Sequence, residues 1–309
     1  MTTDKTVAKK RNRNLLIILS VILLMGGSVT FFLIYAFMNL SGMNGFSKVM
    51  STGDKIAIIK IEGVITQSDE VIKQIEECTK NDNVKGLLVR VNSPGGAVAP
   101  SQEIYDELVR FKKSGKKLVV SMGSLAASGG YYIAAPADKI IANPGTITGS
   151  IGVIINFTNF KKILEKVGIK NETIKSGKLK DVGSPFRDMT PEEKAVMQGM
   201  IDNVYEQFVT VIAKERNLSI EEVKHLADGR IYSGEQAVEL KLVDQLGNLH
   251  VAKDVIMELT GITNEKAFFE KKKEQPLLEK LIGEQANNLL PFNLNEKFSG
   301  NFIEYRMPY

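Results

Sequence analysis

From Leu15 to Leu40 the chain reads LLIILSVILLMGGSVTFFLIYAFMNL, a stretch without a single charged residue. A helix needs roughly 20 apolar residues to cross a bilayer core, so the run predicts one N-terminal transmembrane helix over residues 15–40. Gly26 and Gly27 inside it are compatible with a helix in lipid. A cleaved signal peptide would show a shorter apolar region, about 7 to 15 residues, ending in a small-x-small site. No A-x-A pattern follows the run here. Before it, Lys5, Lys9, Lys10, Arg11 and Arg13 face only Asp4. The positive-inside rule then keeps residues 1–14 in the cytoplasm and places the remainder outside, in a single-pass arrangement at the cell membrane. Residues 41–54 are mostly small and polar and read as a linker.

From Lys55 the pattern changes to short apolar runs alternating with amphipathic ones. KIAIIKIEGVI (55–65) is rich in β-branched residues, as strands are. KGLLVRV (85–91) and KLVVSMG (117–123) are apolar runs of the buried, parallel type. Helices are predicted over 69–79 and 98–113; in the second, Val98, Ile104, Leu108 and Phe111 recur at helical spacing. A further helix is expected from Ser128 to Ala135, short strands over 139–142 and 150–155, a helix over 160–168 closed by Gly168, and a strand in IKNETIK (169–175). The longest helix is predicted over 191–216. There Pro191 follows Thr190, an expected N-cap, and Glu193 is placed for a capping box. Its stripe of Val196, Met200, Val204, Phe208, Val211 and Ile212 reads as core. Two more helices are predicted over 234–240 and 248–260. This alternation argues an α/β fold with a mainly parallel sheet over residues 55–260. Residues 261–309 form a tail that carries the charged run KKKEQ (271–275), with three fates left open: unstructured, packed on the domain, or serving as a partner segment, which in an assembly could reach an active site.

Net charge is +4, much of it in the first thirteen residues. Without them no basic stripe remains, and nothing points to nucleic acid. The one cysteine, Cys78, can form neither an internal disulfide nor a zinc cage. It sits in a predicted helix and reads as a small apolar side chain.

Two turns carry the candidate chemistry. In VNSPGGAVAPSQEI (91–104) a strand ends, a Pro/Gly turn follows and a helix begins. Gly95 and Gly96 let the backbone approach a ligand, and such a turn can hold an anion or a developing oxyanion, though most glycine turns are only turns. In GSLAASGGYYIAAPADKI (123–140) Ser128 stands between Ala127 and the pair Gly129–Gly130. Small neighbours leave its hydroxyl accessible, in the manner of a nucleophile at a strand-to-helix turn; the plain alternative is a helix N-cap. A nucleophilic serine needs a base. The two histidines, His225 and His250, lie in stretches that read as surface. The other base used with serine is a lysine whose pKa is lowered by burial. SGKLKDVGSPF (176–186) offers Lys178 and Lys180 on a glycine-rich loop, and the residue pattern alone does not separate them.

These segments resemble the signal peptide peptidases of the SppA type, serine peptidase family S49, with a ClpP/crotonase-like fold. The resemblance rests on N-S-P-G-G (92–96), S-L-A-A-S-G-G-Y-Y-I-A (124–134), T-G-S-I-G-V (148–153) and S-G-K-L-K-D-V-G-S-P-F (176–186), in that order. It implies Ser128 as nucleophile and Lys180, three positions after a glycine, as general base. It implies an oxyanion hole from Gly95 and Gly129, and Ser150 as a serine that hydrogen-bonds the lysine; Ser150 as a turn residue is the alternative. It implies no metal and no cofactor. It further implies a homo-oligomer in which neighbouring copies share the serine and the lysine, and remnant signal peptides or other apolar peptides as substrates. Activity is then expected to rise toward alkaline pH, because the lysine acts unprotonated. Competing readings are a membrane protease with another membrane-protein substrate, a catalytically silent scaffold on the same fold, and an acyl-CoA enzyme of the crotonase type.

Overall fold

The computed structural model of the chain describes residues 53–271, the backbone of 304–306 and, near the start, residues 26, 27, 30 and 31. The expected membrane helix over 15–40 lies almost wholly outside the described residues. Among these residues no helix is long and apolar enough to cross a membrane. The chain divides into two compact units, Met1–Gly53 and Asp54–Tyr309, and the second holds everything that follows.

Its elements alternate along the chain. They are β1 (Lys55–Glu62), α1 (Asp69–Lys80), β2 (Val84–Ser93), β3 (Gly95–Ala97), α2 (Val98–Lys113), β4 (Lys117–Ala127), α3 (Gly129–Ala134), β5 (Lys139–Ala142), β6 (Ile147–Gly149) and α4 (Lys161–Lys166). The long α5 (Pro191–Arg216) follows, then α6 (Ile220–Leu226), β7 (Ile231–Ser233), α7 (Gly234–Glu239), β8 (Gln245–Leu246), α8 (Leu249–Thr260), β9 (Phe268–Glu270) and β10 (Glu304–Arg306). The main sheet runs β7-β6-β4-β2-β1-β9, with β5 beside β4 and β8 beside β5. Every pair in it is parallel except β6 with β7. This is the expected α/β fold with a mainly parallel sheet. The run of β4 is long enough to serve two neighbours on one side. Val119–Ser121 pair with β5 and Leu125–Ala127 with β6.

Because successive side chains of a strand point to opposite faces, the two faces of β1, β2 and β4 feed separate cores. Ala57, Ile59, Leu87, Val89, Leu118 and Val120 pack with Ile104, Leu108, Phe111 and Phe208 from α2 and α5. Ile56, Ile58, Leu88 and Val119 pack with Ala252 and Ile256 of α8. Both faces are covered, which explains why these strands read as nearly continuous apolar runs.

The capping box of Thr190 and Glu193 is present at the start of α5. Two expected strands are not. The strand predicted over 150–155 is replaced by β6, because Gly149 (φ 75°) and Ser150 (φ 50°) turn the chain out of the extended region. Residues 169–175 form no strand, for they lie on no sheet edge and Ile174 is fully exposed.

Candidate active site

The expected nucleophile stands where β4 hands over to α3. Ser128 has φ 54° and ψ −118°, a conformation an L-residue adopts only when its surroundings impose it. The imposition is visible on both sides. Ser128 N–H donates to Gly149 O at 2.8 Å, extending the β4–β6 pairing to its last rung. The helix beyond is pinned: Tyr131 OH donates to Leu242 O at 2.8 Å, and the Tyr132 ring meets Tyr105 and Phe208 edge-on at 5.2 and 5.0 Å. The result is a buried hydroxyl, 1% exposed for the residue, whose Oγ has no hydrogen-bond partner among the described residues. The helix N-cap alternative fails here, since the Ser128 side chain makes no capping bond.

The two glycine turns meet at this point. A Cβ on Gly129 would stand 3.2 Å from Gly95 Cα and Gly96 N and 2.7 Å from Ser101 Oγ, so the backbones touch where a side chain would separate them. Gly95 has φ 94°, in the left-handed region that favours glycine. Its N–H donates to Ser93 Oγ at 3.1 Å. Gly129 opens a helix, so its N–H has no intrahelical acceptor. Gly96 lies under Ile65, whose N–H donates to Gly95 O at 2.9 Å and whose carbonyl accepts from Ala97 N–H at 2.8 Å. A Cβ on Gly96 would fall 2.1 Å from Ile65 O. Gly96→Ala is therefore expected to displace the β3 turn and cost about 3 kcal/mol, the upper range for forcing an atom into a packed site. A thermal melt unchanged from wild type would contradict this.

The free edge of β3 is taken by the chain itself. β10 pairs with it antiparallel, Glu304 opposite Ala97, Tyr305 opposite Gly96 and Arg306 opposite Gly95. Of the fates left open for the tail, this part packs on the domain. Sequence reasoning carried no signal for which strand it would find.

Ser150 follows β6 as Ser128 follows β4, and Ala127 is opposite Gly149 in the parallel register, so the two serines end neighbouring strands. Ser150 lines a cavity of about 530 Å³ with Val153, Ile154, Ile201, Asp202 and Tyr205.

Within one copy of the chain Lys180 makes no hydrogen bond to Ser128. Ser128 Oγ has no partner among the described residues, and Lys180 is exposed on the loop after α4, so the expected burial of the lysine is absent here. The loop nonetheless separates the two lysines that the sequence could not. Lys178 Nζ is ion-paired with Glu192, and Lys175 Nζ with Asp181. Lys180 Nζ has no hydrogen bond or ion pair among the described residues. His225 and His250 are both exposed, as their stretches predicted.

Comparison with known proteins points one way. The family model described as Peptidase family S49 matches residues 110–263, and that described as Clp protease matches residues 42–146. A candidate protease of Synechocystis sp. is 44% identical over 239 residues, covering 75% of this chain and 84% of its own. A candidate signal peptide peptidase of the SppA type from Enterococcus faecium is 41% identical, covering 69% and 66%. Protease 4 of Salmonella typhi is 36% identical, covering 68% of this chain, which spans only 35% of that protein. The chain belongs to peptidase family S49 and is a serine peptidase with a ClpP-like α/β fold.

Proposed function

We propose that Ser128 and Lys180 are the catalytic pair of this peptidase and that it cleaves apolar peptides, remnant signal peptides first among them, at the outer face of the membrane that residues 15–40 cross. The reading rests above all on the Ser128 hydroxyl, buried, strained and left without a partner. Buried polar atoms are paired unless a function keeps them free.

Lys180 of one copy serves Ser128 of the next in a homo-oligomer. The exposure of Lys180 and its lack of a partner support this, because a neighbouring copy would supply both the desolvation and the hydroxyl. Unprotonated Lys180 takes the proton of Ser128 Oγ as that oxygen attacks the peptide carbonyl. The oxyanion accepts from Gly129 N–H and Gly95 N–H; a charged acceptor outcompetes the neutral Ser93 Oγ that the second donor now serves. Lys180 returns the proton to the leaving amine, and the acyl group remains as an ester on Ser128. Lys180 then takes a proton from water, whose oxygen attacks the ester; the acyl–Oγ bond breaks, Lys180 passes that proton to Ser128 Oγ, and the acid leaves. Ser150, at the end of the adjoining strand, orients the lysine.

A peptide substrate adds to β3 as an antiparallel strand. The pairing of β10 with Gly95–Ala97 supports this, since an extended segment already fits that edge. The assignment is tested by an alkyl fluorophosphonate, which phosphonylates activated serines with loss of fluoride. The adduct is expected on the peptide containing Ser128 and to be lost in Lys180→Ala; labelling elsewhere would unseat the pair. The same pairing makes residues 302–309 a competitor of substrate. Deleting them is expected to lower KM several-fold with kcat unchanged, and an unaltered KM would show that the segment does not compete.

A further inference from the structure

We propose that Arg187 is a positioning residue for the reaction, clamping Asp181, the chain neighbour of Lys180, to the capping box at the start of α5. The inference rests on the reading of Lys180 as the base.

Apart from the Phe157 ring against Gly183, little hydrophobic packing holds the segment that carries Lys180. From Gly152 to Thr190 no residue is buried, and Phe160, Ile163, Val167 and Ile174 are exposed. Polar contacts do the holding instead, Lys178–Glu192 and Lys161–Asp188 among them, and the densest set centres on one guanidinium. Arg187 Nε and Nη2 donate to Asp181 Oδ2 and Oδ1 at 2.8 and 2.7 Å, and Nη2 also reaches Asp181 O at 3.2 Å. The opposite edge of the fork engages Glu193, Nη1 donating to Oε2 at 2.8 Å and Nη2 to Oε1, while Nη1 also meets Asp188 O at 3.1 Å. Glu193 is 2% exposed and is itself fixed, accepting from Thr190 N–H at 2.8 Å in the capping box of α5. A continuous chain of contacts thus runs from the capping box of the longest helix, through its buried Glu193, to the residue beside Lys180. Neighbouring Cα atoms are about 3.8 Å apart across a trans peptide. Gripping both the side chain and the carbonyl of Asp181 therefore fixes the backbone of Lys180 and leaves its Nζ free. Lys175 Nζ ties the other flank, engaging Asp181 and donating to Lys178 O at 2.9 Å.

Single exposed ion pairs add little stability. Two bidentate forks on one guanidinium are a different case, because the planar group fixes direction as well as distance. The guanidinium lowers both carboxyls, Asp181 well below the usual carboxylate range and Glu193 from 4.5 to about 2. Lowered values mean that the clamp stands above the ordinary carboxylate range and is lost only as pH falls toward 2. It is therefore intact throughout the range in which a lysine deprotonates.

The test is steady-state kinetics on an apolar peptide with the full chain carrying Arg187→Ala, Arg187→Lys, Asp181→Asn, and Arg187→Ala combined with Asp181→Asn. Each single variant is expected to lose about 100-fold in kcat with KM within about twofold, the loss a displacement near 1 Å produces. The double variant is expected to be no worse than either single one, because both break the same link. Free guanidinium ion is expected to restore part of the kcat of Arg187→Ala, and sodium chloride at equal ionic strength none. Additive losses, no restoration, or full kcat in Arg187→Lys, which cannot form two forks, would overturn the inference. A Lys180→Ala control separates it from the reading beneath it. If that variant stays active, the base itself is misassigned. If it is inactive while Arg187→Ala keeps the wild-type kcat, only the clamp falls.

Discussion

Replacing Ser128 with alanine is expected to remove peptide cleavage while making the protein more stable. The loss in kcat should reach at least about 10³-fold, since no ester forms without Oγ, and the oxyanion donors alone leave only a small residual rate. The gain in stability has a separate cause. The hydroxyl is buried and has no partner, so the folded state carries its desolvation cost, about 1–3 kcal/mol, with no return. Alanine at φ 54° is strained much as serine is, and that contribution cancels. A net gain of about 1 kcal/mol raises Tm by roughly 2–4 °C for a domain of this size. The measurement is activity and a thermal melt on the same preparation. If activity vanishes together with stability, Ser128 is a structural residue. If activity survives, it is not the nucleophile.

The sequence made the scaffold legible wherever burial was two-sided or a helix was capped. The apolar runs of β1, β2 and β4 are continuous because both sheet faces are covered, and the start of α5 is written in Thr190, Pro191 and Glu193. β7, β8 and β9, two or three residues each, are too short for a periodicity and exist only because a neighbour offers an edge. IKNETIK shows the reverse error: strand-like composition forms no strand without a partner edge. Of the candidate site, the strand–turn–helix setting of Ser128 could be read from its small neighbours, but not that its hydroxyl would be orphaned. The approach of Gly129 to Gly95 depends on a tertiary contact between two turns and leaves no mark in either segment alone. Lys178 and Lys180 differ in the structure through one carboxylate, Glu192, fourteen and twelve residues further along, a pairing no local pattern encodes.

Co-assembling two inactive variants is expected to restore cleavage. In the arrangement proposed, a Lys180→Ala subunit keeps an intact Ser128, and a Ser128→Ala subunit keeps an intact Lys180. Mixed at random in one oligomer, about one interface in four joins the intact serine of one copy to the intact lysine of the next, so activity should recover to about a quarter of wild type. Were both groups of each site drawn from a single chain, every site would lack one of them and the mixture would stay inactive. The structure favours the first outcome on two grounds. Ser128 Oγ has no partner among the described residues of its own chain. The arm that bears Lys180 buries no residue between Gly152 and Thr190 and leaves Phe160, Ile163, Val167 and Ile174 in solvent, an apolar exposure that contact with another copy would remove. Desolvation of the lysine, the condition for its acting as a base, would arise in the same step. Catalytic competence and assembly then become one event, and dilution below the dissociation constant of the oligomer should extinguish activity without unfolding the chain.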